Sequence, residues 1–306
     1  MSSEITSVNV LVTGSNGFIG SQMVRKLDAA GLHVTATYRN RNDYNECFSS
    51  DVDFCQLDLC EATQLDRLPN SIDVIVHVAA TLPVPGVSTM RLVLDNIVAT
   101  KNIIDYALRI KVARFIYLSS ISIHGVINEA EVNEKTSIVN PDIYGLTKLV
   151  GEHLLYETSK TLPCISLRLP GVLGFGAHHN WLSQLTTKIK NNDPIIIYNP
   201  DDFFNNAVHI NDLGVFVLHL ISLKWHGFQA MPLAAAGKIT IRSAVECLIK
   251  KIGSSSTYSI QPENKKSFTI DSSYAIDRFS YCPMLIEPML NYYAKEIKSK
   301  EEASDL

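Results

Sequence analysis

The chain has 306 residues, of which 46% are hydrophobic and 19% charged, with a formal net charge of −4. That composition is globular and long enough for a large core. The mild acidity excludes nucleic acid or an anionic membrane as an electrostatic partner. No basic, then apolar, leader precedes residue 8, and no uncharged apolar run approaches a membrane span, so a cytoplasmic setting is expected. The six cysteines form no Cys-x-x-Cys pair and read as reduced core residues, so no metal site is expected.

Strands and helices alternate from residue 8 to about 169. Val8–Thr13 reads as a buried strand and Phe18–Ala30 as a helix closed by Gly31. Between them stand three glycines at three-residue spacing, Gly14, Gly17 and Gly20. A turn of this kind lets backbone N–H groups approach a pyrophosphate at the positive end of a helix. Gly14, Asn16, Gly17, Phe18, Ile19 and Gly20 are therefore candidate dinucleotide contacts. Further strands are expected at His33–Tyr38, Val52–Leu57, Asp73–Ala79, Arg114–Ser119 and Cys164–Leu169, with helices at Ser88–Ile110 and Tyr144–Lys160. This alternation implies an α/β fold with a doubly wound parallel sheet of Rossmann type.

After Pro170-Gly171 the rhythm becomes irregular. Residues 1–170 read as the dinucleotide-binding domain and 171–306 mostly as a smaller α+β substrate lobe, with 205–224 returning to the first domain. Helices are expected at Ala244–Ile252 and Pro288–Lys298, and a frayed polar end from Lys298 to Leu306.

An acidic residue that would hold an adenosine 2′-hydroxyl belongs at the end of the second strand, where Tyr38, Arg39, Asn40 and Arg41 stand instead. Arginines attract a 2′-phosphate, so NADP(H) is favoured over NAD(H), unless Arg39 and Arg41 are plain loop charges. Asp58 can accept a hydrogen bond from adenine or serve as a helix N-terminal carboxylate. Tyr144 and Lys148, four apart, share one helix face. A neighbouring ammonium stabilises phenolate, making tyrosine a usable acid/base. Ser119–Gly125 follows the fifth strand, and a serine there can hold a substrate oxygen or simply cap its loop.

These features together resemble the extended short-chain dehydrogenase/reductases of the NAD-dependent epimerase/dehydratase family. The resemblance is carried by Thr13–Gly20, His77-Val78-Ala79-Ala80, Ser119–Gly125, Tyr144–Lys148, Leu169–Gly174 and Val208–Leu213. It implies Ser120 and Tyr144 as catalytic, with Lys148 both catalytic and holding the nicotinamide ribose. It places Asp58, Leu59, Ala79, Ala80 and Pro170 against the cofactor and Asn96 in support, with a nucleotide-diphospho-sugar as substrate and a homodimer as assembly. Departures narrow the reaction. Ile121 and Ser122 stand where dehydratases carry an Asp-Glu pair, and Ser122 also replaces the cysteine of one epimerase group. His178 or His179 can supply a histidine near the substrate or merely line a polar loop. Asn205 replaces a diphosphate-binding arginine, leaving Arg168, Arg242 and Arg278 as alternative cations. The expected reaction is reduction of a 4-keto-6-deoxy nucleotide sugar. The alternatives are a nucleotide-sugar 4-epimerase, an NADP-dependent ketone or aldehyde reductase of flavonoid or steroid type, and a non-catalytic dinucleotide sensor.

Overall fold

The computed structural model describes residues 8–40, 52–262 and 267–304. Arg41 and Cys47 lie outside these residues. The chain forms two compact units: residues 1–125, 138–168 and 214–231 make the first, and 126–137, 169–213 and 232–306 the second.

The first unit is built on a seven-stranded sheet. Its strands are β1 (Asn9–Thr13), β2 (His33–Tyr38), β3 (Val52–Gln56), β4 (Val74–His77), β5 (Arg114–Ser120), β6 (Cys164–Leu169) and β7 (Phe228–Pro232), in the spatial order β7-β6-β5-β4-β1-β2-β3. From β3 to β5 every neighbouring pair is parallel. The reason is in the side chains: Val10, Leu11 and Val12 of β1 and Val74, Ile75 and Val76 of β4 are fully buried, so the sheet must be covered on both faces. One cover includes Ile103, Ile104, Tyr106 and Leu155, packed with Leu11, Ile75 and Phe115.

Three helices matter for the site. Helix α1 (Phe18–Ala29) follows the glycine turn. Helix α2 spans 89–110 and is interrupted by a π turn at Leu94–Val98, which leaves the adjacent Asp95 and Asn96 both buried. Helix α3 (Ile143–Thr158) starts at Asp142, whose carboxylate accepts from the Gly145 N–H at 2.7 Å.

The second unit has short paired strands, including Gly171–Leu173 with Ala207–His209 and Ile195–Tyr198 with Tyr258–Gln261. Its core gathers Leu185, Ile189, Val245, Leu248, Met289 and Leu290. Strand Ala207–His209 runs directly into a helix, Ile210–Ser222, whose apolar residues recur at helical spacing. One expectation needs correction. The last helix, Ile286–Ser304, runs through Lys298 instead of fraying there. Strand β7 has no counterpart among the expected strands: Phe228–Pro232 ends in a proline, which does not read as a strand residue.

A buried ion pair ties α3 to β6. Glu152 accepts from Arg168 Nη2 at 2.9 Å, Arg168 Nε at 3.2 Å and Ser166 Oγ at 2.8 Å, with both charged side chains under 10% exposed. Arg168 is thus a core ion-pair partner. Removing one member leaves the other charge buried without it. Glu152→Ala is expected to destabilise the protein by about 3–5 kcal/mol, read from urea unfolding midpoints.

Candidate active site

The glycine turn shows why its residues must lack side chains. Gly14 has φ +66°, and a Cβ there would lie 2.7 Å from Ala79 Cα. A Cβ on Gly20 would lie 2.1 Å from the Gly14 carbonyl oxygen. Gly17 is different. It is the N-cap of α1, is exposed, and a Cβ would meet only the Gly14 oxygen at 3.5 Å. The protein itself therefore does not demand glycine at 17. A ligand approaching the backbone would. No side chain caps this helix start and no acidic residue occupies its first turn, so its N–H groups suit an anion. The turn fits a pyrophosphate. Asn16, Phe18 and Ile19 belong to it, and Asn16 Nδ2 donates to the Asn40 carbonyl at 3.2 Å.

A second layer fixes the turn after β4. Val78 and Ala79 N–H groups both donate to Thr13 Oγ1, at 3.1 and 3.2 Å. The Thr13 hydroxyl must then give its own proton to His77 Nδ1, 2.7 Å away. Thr100 donates to the Asn96 carbonyl and so receives the His77 Nε2 proton at 2.9 Å. His77 is held as a neutral ring protonated on Nε2, and burial first, then Lys148, pushes its pKa down to about 3. Ala79 is partly buried and Ala80 exposed at this edge.

The third layer joins α2, α3 and β5. Asn96 Oδ1 accepts from the Thr81 N–H at 2.7 Å, while its Nδ2 donates to the Thr81 carbonyl at 3.0 Å and to Thr147 Oγ1 at 3.1 Å. Thr147 in turn donates to the Tyr144 carbonyl. Gly145 lets α3 settle onto the loop after β5: a Cβ there would sit 2.2 Å from the Ser122 carbonyl oxygen. That approach sets the Tyr144 phenol beside the Ser120 side chain, which opposes the rise of its pKa. Ser120 also caps the 3-10 turn Ile121–His124, accepting from Ser122 N–H at 3.1 Å.

Lys148 is 2% exposed, and its Nζ lies 4.3 Å from the centre of the Tyr117 ring. Tyr117 stacks on His77 at 5.7 Å. Burial lowers the Lys148 pKa from 10.5 to about 7, against the opposing pull of Glu152. Burial, reinforced by Asp142 and opposed by the Ser120 hydrogen bond, raises Tyr144 to about 12. In the protein alone the pair therefore leans towards neutral amine and neutral phenol.

Other expected residues fall elsewhere. Asp58 Oδ1 accepts from the Cys60 N–H at 2.9 Å, capping a turn as a helix-start carboxylate would. Leu59 is buried, and its carbonyl accepts from Asn102. Pro170 belongs to the second unit. His178 and His179 meet edge to face at 4.2 Å, with His178 Nδ1 turned to the Gly176 carbonyl. Among the described residues no cluster of three metal-ligating side chains exists. Asn205 is buried and bonds both backbone groups of Ile270, so it stitches the second unit together. Arg242 pairs with Asp201, and Arg278 is exposed on a short helix. Arg39 does not stand open for a 2′-phosphate: its Nη1 lies 2.8 Å from Asp95 Oδ1. Asp95, Thr81, Thr147 and Gly145 escaped the sequence reading. The one available signal was a carboxylate beside Asn96 on a helix otherwise read by its apolar residues.

Because the folded protein favours neutral Lys148 and the unfolded chain does not, the unfolded state binds the extra proton between about pH 7 and 10.5. Stability from this group therefore rises with pH across that window. Melting temperatures of wild type and Lys148→Met are expected to diverge accordingly, wild type gaining on the variant as pH climbs from 7 to 9.

Comparison with known proteins agrees with this architecture. The chain is 31% identical over 180 residues to a UDP-glucose 4-epimerase of Caenorhabditis elegans, a match covering 51% of each chain. It thus spans about half of that relative's length. It is 25% identical to Protein CapI of Staphylococcus aureus over 74% of each chain. Among solved structures, the Bacillus cereus UDP-glucuronic acid 4-epimerase in complex with NAD superposes with a TM-score of 0.81 at 23% identity, covering 95% of this chain and 97% of that one. The Bordetella bronchiseptica enzyme WbmH in complex with NAD+ gives 0.83 at 18% identity, covering 95% and 99%. Both share the fold. Among the described residues, no helix is long and apolar enough to cross a membrane. Residues 10–227 match the NAD dependent epimerase/dehydratase family, and with its doubly wound sheet and glycine turn the chain belongs to that family of extended short-chain dehydrogenase/reductases.

Proposed function

We propose that this protein is a nucleotide-sugar 4-epimerase that retains a nicotinamide dinucleotide, NAD(H), through its cycle. The observation that carries the reading is the meeting of Ser120 and Tyr144 at the end of β5, one helical turn from buried Lys148. When bound, the dinucleotide would take up and return a hydride at a sugar carbon. Gly14, Asn16, Gly17, Phe18, Ile19 and Gly20 would hold its pyrophosphate, Asp58 and Leu59 its adenine, Ala79 and Ala80 its flank, and Lys148 its ribose, with Pro170 as a further contact. Ser120 would orient the sugar hydroxyl, and Tyr144 would accept and return that hydroxyl's proton. The Ser120 hydrogen bond favours phenolate, and so would a protonated Lys148. The names of the relatives support a nucleotide-sugar substrate, and residues 171–306 would bind it. Among the alternatives, the engagement of Arg39 by Asp95 removes the main ground for preferring NADP(H).

A second reading, reduction of a 4-keto-6-deoxy nucleotide sugar with NADPH, keeps one observation in its favour: Tyr38 stands where a 2′-hydroxyl-binding carboxylate would be. In either case Met90, Leu94, Ile143, Leu146 and Val150, exposed on α2 and α3, would form the face of a homodimer.

Proton NMR of UDP-sugars incubated with enzyme and NAD+ tests the main reading. Interconversion of 4-epimers without net NADH supports it, whereas turnover only of keto-sugars with NADPH overturns it in favour of reduction. Tyr144→Phe is expected to lower kcat by about 10²–10⁴-fold while dinucleotide still binds. Wild-type turnover by that variant would remove Tyr144 from the chemistry.

A further inference from the structure

Asp95 is an unusual residue for a helix packed against a sheet. Its side chain is 5% exposed, yet it gathers several donors. Arg39 Nη1 reaches Oδ1 at 2.8 Å, and Arg91 Nε and the Thr81 hydroxyl reach Oδ2 at 2.7 and 2.5 Å. The Cys60 thiol lies 3.6 Å from Oδ1. Two guanidinium groups thus share one carboxylate.

The path of the Arg39 bond matters. Arg39 follows β2, and Asp95 sits in the π turn of the helix that follows β4. These strands flank β1 on either side, and all three are parallel. The ion pair therefore reaches across the carboxyl end of β1, where the glycine turn begins. The Arg39 backbone is pinned as well. Its carbonyl accepts from Gln56 Nε2 at 3.1 Å, Tyr38 O accepts from Leu57 N–H, and Asn40 O accepts from Asn16. The main chain is fixed at the adenosine end of the proposed site, while the Arg39 side chain, 40% exposed, turns its guanidinium to Asp95.

We propose that Asp95 determines which dinucleotide this protein takes, by acting as the internal counter-ion that occupies Arg39 and so disfavours a 2′-phosphate. The inference rests on the dinucleotide-binding reading given above. A 2′-phosphate and the Asp95 carboxylate compete for the same planar donor fork, and a guanidinium suits both equally well in geometry. Asp95 starts with the advantage because its bond to Arg39 is already formed and its own carboxylate is buried. Release of Arg39 would not orphan Asp95, since Arg91 and Thr81 remain on Oδ2. Arg39 is thus held by a carboxylate that can let it go, and weakening that carboxylate shifts the balance towards NADP(H).

The test is binding of NADH and NADPH to the full chain, followed by nucleotide fluorescence, for wild type, Asp95→Asn, Arg39→Gln and the double variant. Wild type is expected to prefer NADH. Asp95→Asn should move the NADPH-to-NADH affinity ratio towards NADPH by about tenfold or more, equivalent to about 1.4 kcal/mol. The double variant should lose that gain. Arg39→Gln, a surface change that tests the idea even if Asp95→Asn misfolds, should leave the ratio within about twofold of wild type. The inference is overturned if Asp95→Asn leaves the ratio unchanged, if the double variant keeps the gain, or if Arg39→Gln alone lowers NADPH binding tenfold. Failure of wild type to bind either nucleotide is a separate result and overturns the dinucleotide reading itself.

Discussion

The site depends on one close approach: the first turn of α3 lies against the carbonyl of Ser122, in a gap that only glycine at 145 leaves open. A helix seated a side chain further out would carry Tyr144 away from Ser120 and Lys148 away from the ring of Tyr117. The same seating is secured from the other side by Asn96, whose amide bonds both the backbone of Thr81 and the hydroxyl of Thr147. Because Thr81 belongs to the loop after β4 and Thr147 to α3, this one side chain ties the segment beside the glycine turn to the helix bearing the phenol and the amine. Positioning of this kind is worth far more in catalysis than the modest net stability of its hydrogen bonds.

Electrostatics then set what the site can do. Lys148 enters a place with almost no water, over an aromatic ring that attracts a cation but does not neutralise it. The ring rests on a histidine kept neutral chiefly by burial and fixed in one tautomer by two threonines, so the layer beneath adds no charge of its own. Tyr144 meets the opposite problem. Crowding and the Asp142 charge hold on to its proton, and Ser120 works the other way. The protein alone leaves both groups near neutrality. On the proposed reading, a positively charged pyridine ring and a ribose would favour the ionised form of this site and so couple proton movement to the cofactor.

Much of the fold was legible because its signals are local. The apolar strands β1, β4 and β5, the glycines at 14, 17 and 20, and the Tyr144–Lys148 spacing each declare themselves within a few residues. The structure adds the reason for two of those glycines in contacts with Ala79 and with Gly14 itself. What stayed hidden was long-range or depended on an irregularity. The π turn that buries Asp95 beside Asn96 has no simple periodic signature. Arg39 looked like a phosphate-binding residue because its partner lies 56 positions away. Strand β7 and the stitching role of Asn205 become visible only when residues far apart in sequence are brought together.

The account stands on Tyr144 being a phenol whose acidity is controlled by its neighbours. Ultraviolet difference titration of wild type against Tyr144→Phe isolates the tyrosinate signal of this one residue. Without nucleotide the phenol is predicted to ionise at about 12, and with NAD+ bound its titration should move down towards neutrality. A titration that stays where it was after NAD+ has demonstrably bound would contradict the account.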